Sequence, residues 1–238
     1  MLNLCRVTKY YENDIGIEKV SFSVGAGEIV GIVGDNGAGK TTLLKCIMNL
    51  VDYNMGGDVT LDGNPIEVEA YKKLSFITEE GSCFRNLTPK KHEDFYKNML
   101  DSFDSKRFNK LLKFFNLPRD KKVKNMSRGE RAQLEVAIGF SKGAKYILMD
   151  EPFMGKDVFT RKDFLKLMIA NLKEDESIIV ATHLIDEIQN VLSRAVILKK
   201  GRIAADVSIE ELEKDGKNLY QLMKEVHRYN ENRVDEII

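Results

Sequence analysis

Ile29-Val30-Gly31-Ile32-Val33-Gly34-Asp35-Asn36-Gly37-Ala38-Gly39-Lys40-Thr41-Thr42 joins a short apolar run to the pattern G-x-x-x-x-G-K-[ST]. That pattern reads as a phosphate-binding loop set between a strand and a helix. Its glycines let successive backbone N–H groups turn inward on a di- or triphosphate. Lys40 supplies a mobile positive charge, and the Thr41 hydroxyl is placed to ligate magnesium. The helix predicted to begin at Lys40 aims its positive dipole end at the same point.

On the N-terminal side, Leu2 to Tyr10 and Ile17 to Val24 are rich in β-formers and separated by Glu12-Asn13-Asp14, with Gly25-Ala26-Gly27 as the next turn. They read as antiparallel strands leading into the core. On the other side, Thr41 to Leu50 has helical spacing, Gly57 to Pro65 reads as a strand and tight turn, and Leu74 to Ile77 as another strand. Residues 85–125 then carry little β character. Thr88 reads as an N-cap, Pro89 as the first helical position, and Phe108, Leu111, Leu112 and Phe115 fall at helical spacing. With a helix from about Arg128 to Ser141, this predicts a helical subdomain inserted over about 85–140. Tyr146-Ile147-Leu148-Met149-Asp150 is a continuous apolar run ending in a carboxylate, which suits a parallel strand buried on both faces. Strands at Ser177 to Ala181 and Ala195 to Leu198 alternate with helices near Arg161 to Leu172 and Leu184 to Leu192. The expected fold is α/β: a P-loop NTPase core with a mixed, mainly parallel sheet, an antiparallel β subdomain and the helical insertion. It occupies residues 1–205, and a charged helical tail over 206–238 opens on the capping-box pattern Ser208-Ile209-Glu210-Glu211.

The composition narrows the function. A chain of 238 residues with 43% hydrophobic content can bury a core without disulfide support. Cys5, Cys46 and Cys83 are odd in number and lack metal-ligand spacing, which predicts a reduced, cytoplasmic protein with no zinc site. No apolar run approaches the ~18 to 20 residues needed to cross a bilayer, and the start lacks a signal peptide's layout. Lys plus Arg (37) equals Asp plus Glu (37), so no overall positive field exists to hold nucleic acid, and none is expected as a partner.

Asp150 and Glu151 end the buried strand, where the ligand sites of open α/β sheets collect. Asp150 is expected to hold magnesium, and Glu151 to orient or deprotonate the water that attacks the terminal phosphate. Pro152 is expected to bias Glu151 towards an extended backbone. Met126-Ser127-Arg128-Gly129-Glu130 starts a helix, where free N–H groups favour an anion, and Ser-x-x-Glu is also a capping box. The two roles are compatible, because a hydroxyl has one donor and two lone pairs. His183, preceded by Thr182 at a strand end, falls on the active-site side. His92 and His227, in charged helical segments, read as solvated side chains.

These motifs, in this order, resemble the nucleotide-binding subunits of ATP-binding-cassette (ABC) transporters over roughly residues 2–205. Gly34, Asp35, Asn36, Gly37, Ala38, Gly39, Lys40, Thr41 and Thr42 match the Walker A loop, and Met126 to Glu130 the signature motif. Ile147 to Glu151 matches the Walker B strand, Gly155-Lys156-Asp157 the D-loop, and Thr182-His183 the switch histidine. Tyr11 matches the aromatic that stacks on adenine, with Tyr10 as the rival. The resemblance implies ATP and Mg2+ as cofactors, and a homodimer or heterodimer of cassettes that sandwiches two ATP molecules. In it, Ser127, Arg128, Gly129 and Glu130 of one subunit complete the site held by the loop of the other. It further implies a separate transmembrane permease, and a place at the inner face of the cell membrane. The Asn86-Leu87-Thr88 stretch leans towards exporter-type cassettes.

Three positions depart from the family pattern. Glu79 stands where glutamine is usual in the Q-loop, and its carboxylate can still ligate magnesium while adding negative charge. Arg128 and Glu130 replace a glycine and a glutamine of the signature. Met154-Gly155-Lys156 replaces the customary run before Asp157. Two alternatives remain at this stage: a soluble ABC ATPase acting on nucleic acid or ribosomes, and a weakly hydrolysing regulatory cassette.

Overall fold

The computed structural model describes residues 1–12, 14–53, 56–78, 81–152 and 158–227. Strands β1 (Leu2–Tyr11) and β2 (Asp14–Val24) are followed by β3 (Ile29–Val33), helix α1 (Lys40–Ile47), β4 (Asp58–Leu61), β5 (Asn64–Pro65) and β6 (Leu74–Ile77). The helical insertion then supplies α2 (Pro89–Met99), α3 (Ser105–Phe114) and α4 (Arg128–Ser141). The chain continues through β7 (Tyr146–Asp150), α5 (Val158–Asn171), β8 (Ser177–Thr182), α6 (Ile185–Ile188), β9 (Arg194–Lys199), β10 (Arg202–Ser208), α7 (Ile209–Lys214) and α8 (Leu219–His227).

Two sheets result. One is antiparallel in the order β2-β1-β4-β5, and the other runs β10-β9-β3-β8-β7-β6, parallel except for β10. Parallel strands buried on both faces send alternate residues into two cores. Tyr146 and Leu148 of β7, with Ile32 of β3 and Ile179 of β8, pack against Leu43, Leu44 and Ile47 of α1 and against the antiparallel sheet. Ile147 and Met149 point the other way, onto α4 and α5. Helix α1 is thus clamped between the sheets, which fixes the loop that precedes it. The Tyr146 hydroxyl ties the layers together, accepting from Leu2 N–H at 3.1 Å and donating to the Val24 carbonyl at 3.3 Å.

Local capping sets the starts of α2, α3 and α4. Thr88 accepts from Lys91 N–H, with Pro89 at the first helical position, and Asp104 accepts from Arg107 N–H. Ser127 and Glu130 form the full reciprocal box of α4. Helix α1 stops at Ile47, short of the expected Leu50, because Asn49 turns left-handed (φ 50°) and Leu50 N–H bonds back to the Lys45 carbonyl.

Several expectations are corrected. Ser208 precedes α7 but its side chain makes no capping bond. Its backbone closes β10 opposite Arg194, so the strand sets its geometry rather than the helix. That strand runs through the 205/206 boundary and leaves the tail only two short helices within the described residues. The expected helix over 184–192 is one turn of α6, then a 3-10 turn at Gln189–Val191.

His92 is fully buried rather than solvated. Its Nε2 accepts from Phe84 N–H at 3.0 Å, so Nδ1 carries the hydrogen given to the Thr88 carbonyl at 2.9 Å. Protonation would put a second N–H against Phe84 N–H, and burial holds the ring's pKa below its ordinary 6.5. The unfolded chain therefore binds the extra proton first, and this site's stabilisation, complete above about pH 6.5, is lost as pH falls. Thermal unfolding of wild type between pH 7.5 and 5 should decline more steeply than that of His92→Gln. Parallel slopes would remove His92 as a cause.

Candidate functional site

The phosphate loop leaves the C-terminal end of β3 and enters α1. Ala38 N–H closes a turn onto the Asp35 carbonyl at 3.1 Å. Gly39 has φ 103°, and a Cβ there would run into the Gly16 carbonyl oxygen and the Ile17 side chain. Only glycine fits that pass, which explains the Gly39-Lys40 junction in backbone terms. Leu43 N–H then bonds the Gly39 carbonyl, so the first amides of α1 remain open to the loop.

Lys40 folds back over the loop. Its side chain is only 6% exposed. The Nζ donates to the Gly34 carbonyl at 2.8 Å and the Asp35 carbonyl at 3.2 Å, and lies 3.4 Å from Glu151 Oε1. Thr41 Oγ1 donates to Asp150 Oδ1 at 3.0 Å, which joins the start of α1 to the end of β7. Burial raises the Asp150 pKa above the usual carboxylate range against the Thr41 hydrogen bond, and the neighbouring Glu151 charge adds to the rise.

Glu151 is held at three points. Oε2 accepts from Thr182 Oγ1 at 3.0 Å, and Oε1 accepts from His183 Nδ1 at 2.9 Å besides facing Lys40. Its backbone N–H continues the β7–β8 ladder onto the Ala181 carbonyl. The expected extended backbone is not found: Glu151 has φ 45°, a left-handed conformation. The carboxylate's three partners and the ladder bond outweigh the bias from Pro152, at a cost of about 1–3 kcal/mol.

These groups line a cavity of about 450 Å³. The loop and α1 contribute Asn36, Gly37, Gly39, Lys40, Thr41 and Thr42, and Glu151 and His183 face them. Tyr11 lines the cavity, whereas Tyr10 does not figure in its wall. Gly34 and Ala38 of the loop serve it from behind. The Gly34 carbonyl holds Lys40, and buried Ala38 accepts from Gly201 N–H at 3.0 Å. Asp35 points outward, 72% exposed, with Oδ2 on His227 Nδ1 at 3.1 Å. His227 is therefore not a solvated side chain, the second correction among the histidines.

Sequence reasoning missed Asp14 and Gly16, which also line the cavity. Neither belongs to a motif. They arrive through the β1–β2 hairpin, where a Cβ on Gly16 would press the Tyr11 ring and Thr42.

The structure does not bring the signature residues to this cavity. Ser127, Arg128 and Gly129 are exposed at the start of α4, with Glu130 bonded to Lys121 Nζ at 2.9 Å. Arg128 lines a different cavity, of about 750 Å³, together with Ser82, Arg85, Arg131 and Glu135. Glu79 and Asp157 lie outside the described residues.

A family profile described as ABC transporter matches residues 17–154. The chain is 30% identical over 220 residues to the lipopolysaccharide export system ATP-binding protein LptB of Escherichia coli K12, covering 88% of this chain and 91% of that one. Among solved structures, an ATP binding subunit of an ABC transporter superposes with TM-score 0.84 at 23% identity, over 95% of this chain and 99% of that one. A dimeric post-hydrolysis structure of the ATP-binding cassette MJ0796 bound to ADP and Pi superposes with TM-score 0.74 at 23% identity, over 87% of this chain and 98% of that one. At that identity the superpositions establish a shared fold.

Proposed function

Since this chain belongs to the ABC transporter family as an ATP-binding subunit, we propose that it hydrolyses ATP between two paired cassettes and passes the motion to a separate membrane-spanning permease. The observation that carries this reading is the meeting of Lys40, the Thr41–Asp150 pair and the Glu151–Thr182–His183 cluster around one cavity. Loop amides and the start of α1 bind the phosphates, and Lys40 leaves the Gly34 and Asp35 carbonyls to meet them. The Thr41 hydroxyl and Asp150 are oxygen donors fitted to a hard cation. Mg2+ held there would supply positive charge to the phosphate oxygens. Lys40's departure frees Glu151 Oε1 to orient or deprotonate water. His183 gives its Nδ1–H to Glu151 and so fixes that carboxylate in the cavity wall.

Tyr11, in the cavity wall, is the residue assigned to stack on the base, a role that its place there supports. Ser127 and Gly129 lie away from the cavity of their own chain, which supports their use across the pair, with Arg128 and Glu130 beside them. The ADP-bound dimeric relative in fold and the export role in LptB's name support pairing and an exporter-type partner. Glu79 as a further magnesium ligand, Asp157 as a contact between cassettes, and a helical subdomain over about 85–140 belong to the same proposal. So does a peripheral position on the cytoplasmic face of the membrane. No helix among the described residues is long and apolar enough to cross a membrane.

The purified chain should release phosphate from ATP only with Mg2+, and in cell fractions it should sediment with membranes. Sedimentation with ribosomes and not membranes, or no phosphate release from the paired protein, overturns the reading.

A further inference from the structure

The back of the phosphate loop is braced by elements that no catalytic motif includes. The turn after β9 holds it at one point, where Gly201 N–H donates to the Ala38 carbonyl. Helix α8 holds it at another, through the His227–Asp35 contact at 3.1 Å. The two braces are joined, because Lys199 Nζ, at the end of β9, donates to the Val226 carbonyl at 2.6 Å. That bond ties a strand cation to a carbonyl in the last described turn of α8. Buried Leu219 and Met223 dock α8 on the core, so His227 reaches the loop from a fixed base. His227 Nε2 is buried and makes no hydrogen bond among the described residues, so the Nδ1–Asp35 contact is the ring's polar tie in this structure.

We propose that His227 is a positioning residue for the phosphate loop. It draws the Asp35 carboxylate to the outer side, and through the Asp35 backbone it sets where Lys40 waits for nucleotide. Two consequences follow from the geometry. The Asp35 carbonyl is one of the two that hold Lys40 Nζ, so freedom at Asp35 becomes freedom of the lysine. The Asp35 carboxylate, if released, can swing towards the phosphates and oppose their charge. The inference rests on nucleotide binding in the 450 Å³ cavity.

The test is a double-mutant cycle on the full chain, read as the dissociation constant of Mg-ADP, which is not turned over. His227→Ala should weaken ADP binding by about three- to tenfold, a coupling of the size neighbouring residues share. In an Asp35→Ala background the same change should have no further effect. His227→Gln, whose amide can donate to Asp35, should stay within about twofold of wild type. Melting of the nucleotide-free variants shows whether α8 remains docked, and the glutamine variant covers the case in which alanine loosens it. Equal penalties in both Asp35 backgrounds, or no penalty in either, overturn the proposal. Failure of wild type to bind ADP overturns the nucleotide reading instead.

Discussion

Replacing Glu151 with glutamine is expected to lower ATP turnover by ~10²- to 10⁴-fold, the range attributed to a positioned general base, while ATP still binds. The substitution is nearly isosteric, and the site can accept it. The amide oxygen can take the His183 Nδ1–H and face Lys40 Nζ, both donors now at Oε1. The amide nitrogen then faces Thr182 Oγ1, whose hydroxyl can rotate from donor to acceptor. What disappears is a negative charge beside the terminal phosphate and a group able to take a proton. Affinity for the triphosphate should therefore hold or improve as the chemical step fails. With hydrolysis stalled, two cassettes closed on ATP should accumulate as a dimer in size-exclusion chromatography run with ATP and Mg2+. A single-turnover measurement isolates the step. If Glu151→Gln releases phosphate within about threefold of wild type, Glu151 has no part in activating water.

The residues of that site were readable in advance because their signals are local. A glycine pattern after an apolar run, a carboxylate pair at the end of a buried strand and a histidine after another each carry their meaning within a few positions. The same holds for β6, β7 and α4, whose observed bounds match those read from hydrophobic runs and caps. What escaped depends on partners far along the chain. His92 and His227 sit in charged segments, and nothing nearby shows that Phe84 N–H donates to the first and that the Asp35 carboxylate meets the second. The left-handed turn at Glu151 is set by Ala181, Thr182 and His183, and it overrides a local rule about proline. Strand β10 is half-exposed at a sheet edge, so its apolar alternation is too weak to stand against a capping pattern that the helix never uses. Asp14 and Gly16 became part of the cavity wall only when the hairpin laid them beside Thr42.

The largest stability effect is expected where the helical insertion meets the core. Arg107 of α3 and Glu176, in the turn before β8, form an ion pair at 2.6 Å with side chains only 6% and 4% exposed. The pair is heavily bonded on both sides. Arg107 Nη2 donates to the Asn171 carbonyl, Glu176 Oε2 accepts from Lys173 N–H at 3.1 Å, and the guanidinium lies 5.1 Å from the centre of the Phe140 ring. Two charges removed from water gain little net stability from each other, but removing one strands the other. Arg107→Met should therefore cost about 3–5 kcal/mol, lowering the melting temperature by roughly 6–20 °C for a chain of this size. The double substitution Arg107→Met with Glu176→Leu should recover most of that loss, because no charge is then buried without a partner. The Asn171 carbonyl loses its partner in both proteins, whereas the Lys173 amide loses its acceptor only in the double variant, so the recovery sets a lower bound on the cost of the stranded carboxylate. If the double variant melts as low as the single one, packing of the arginine stem against Phe140, and not charge, holds the insertion to the core.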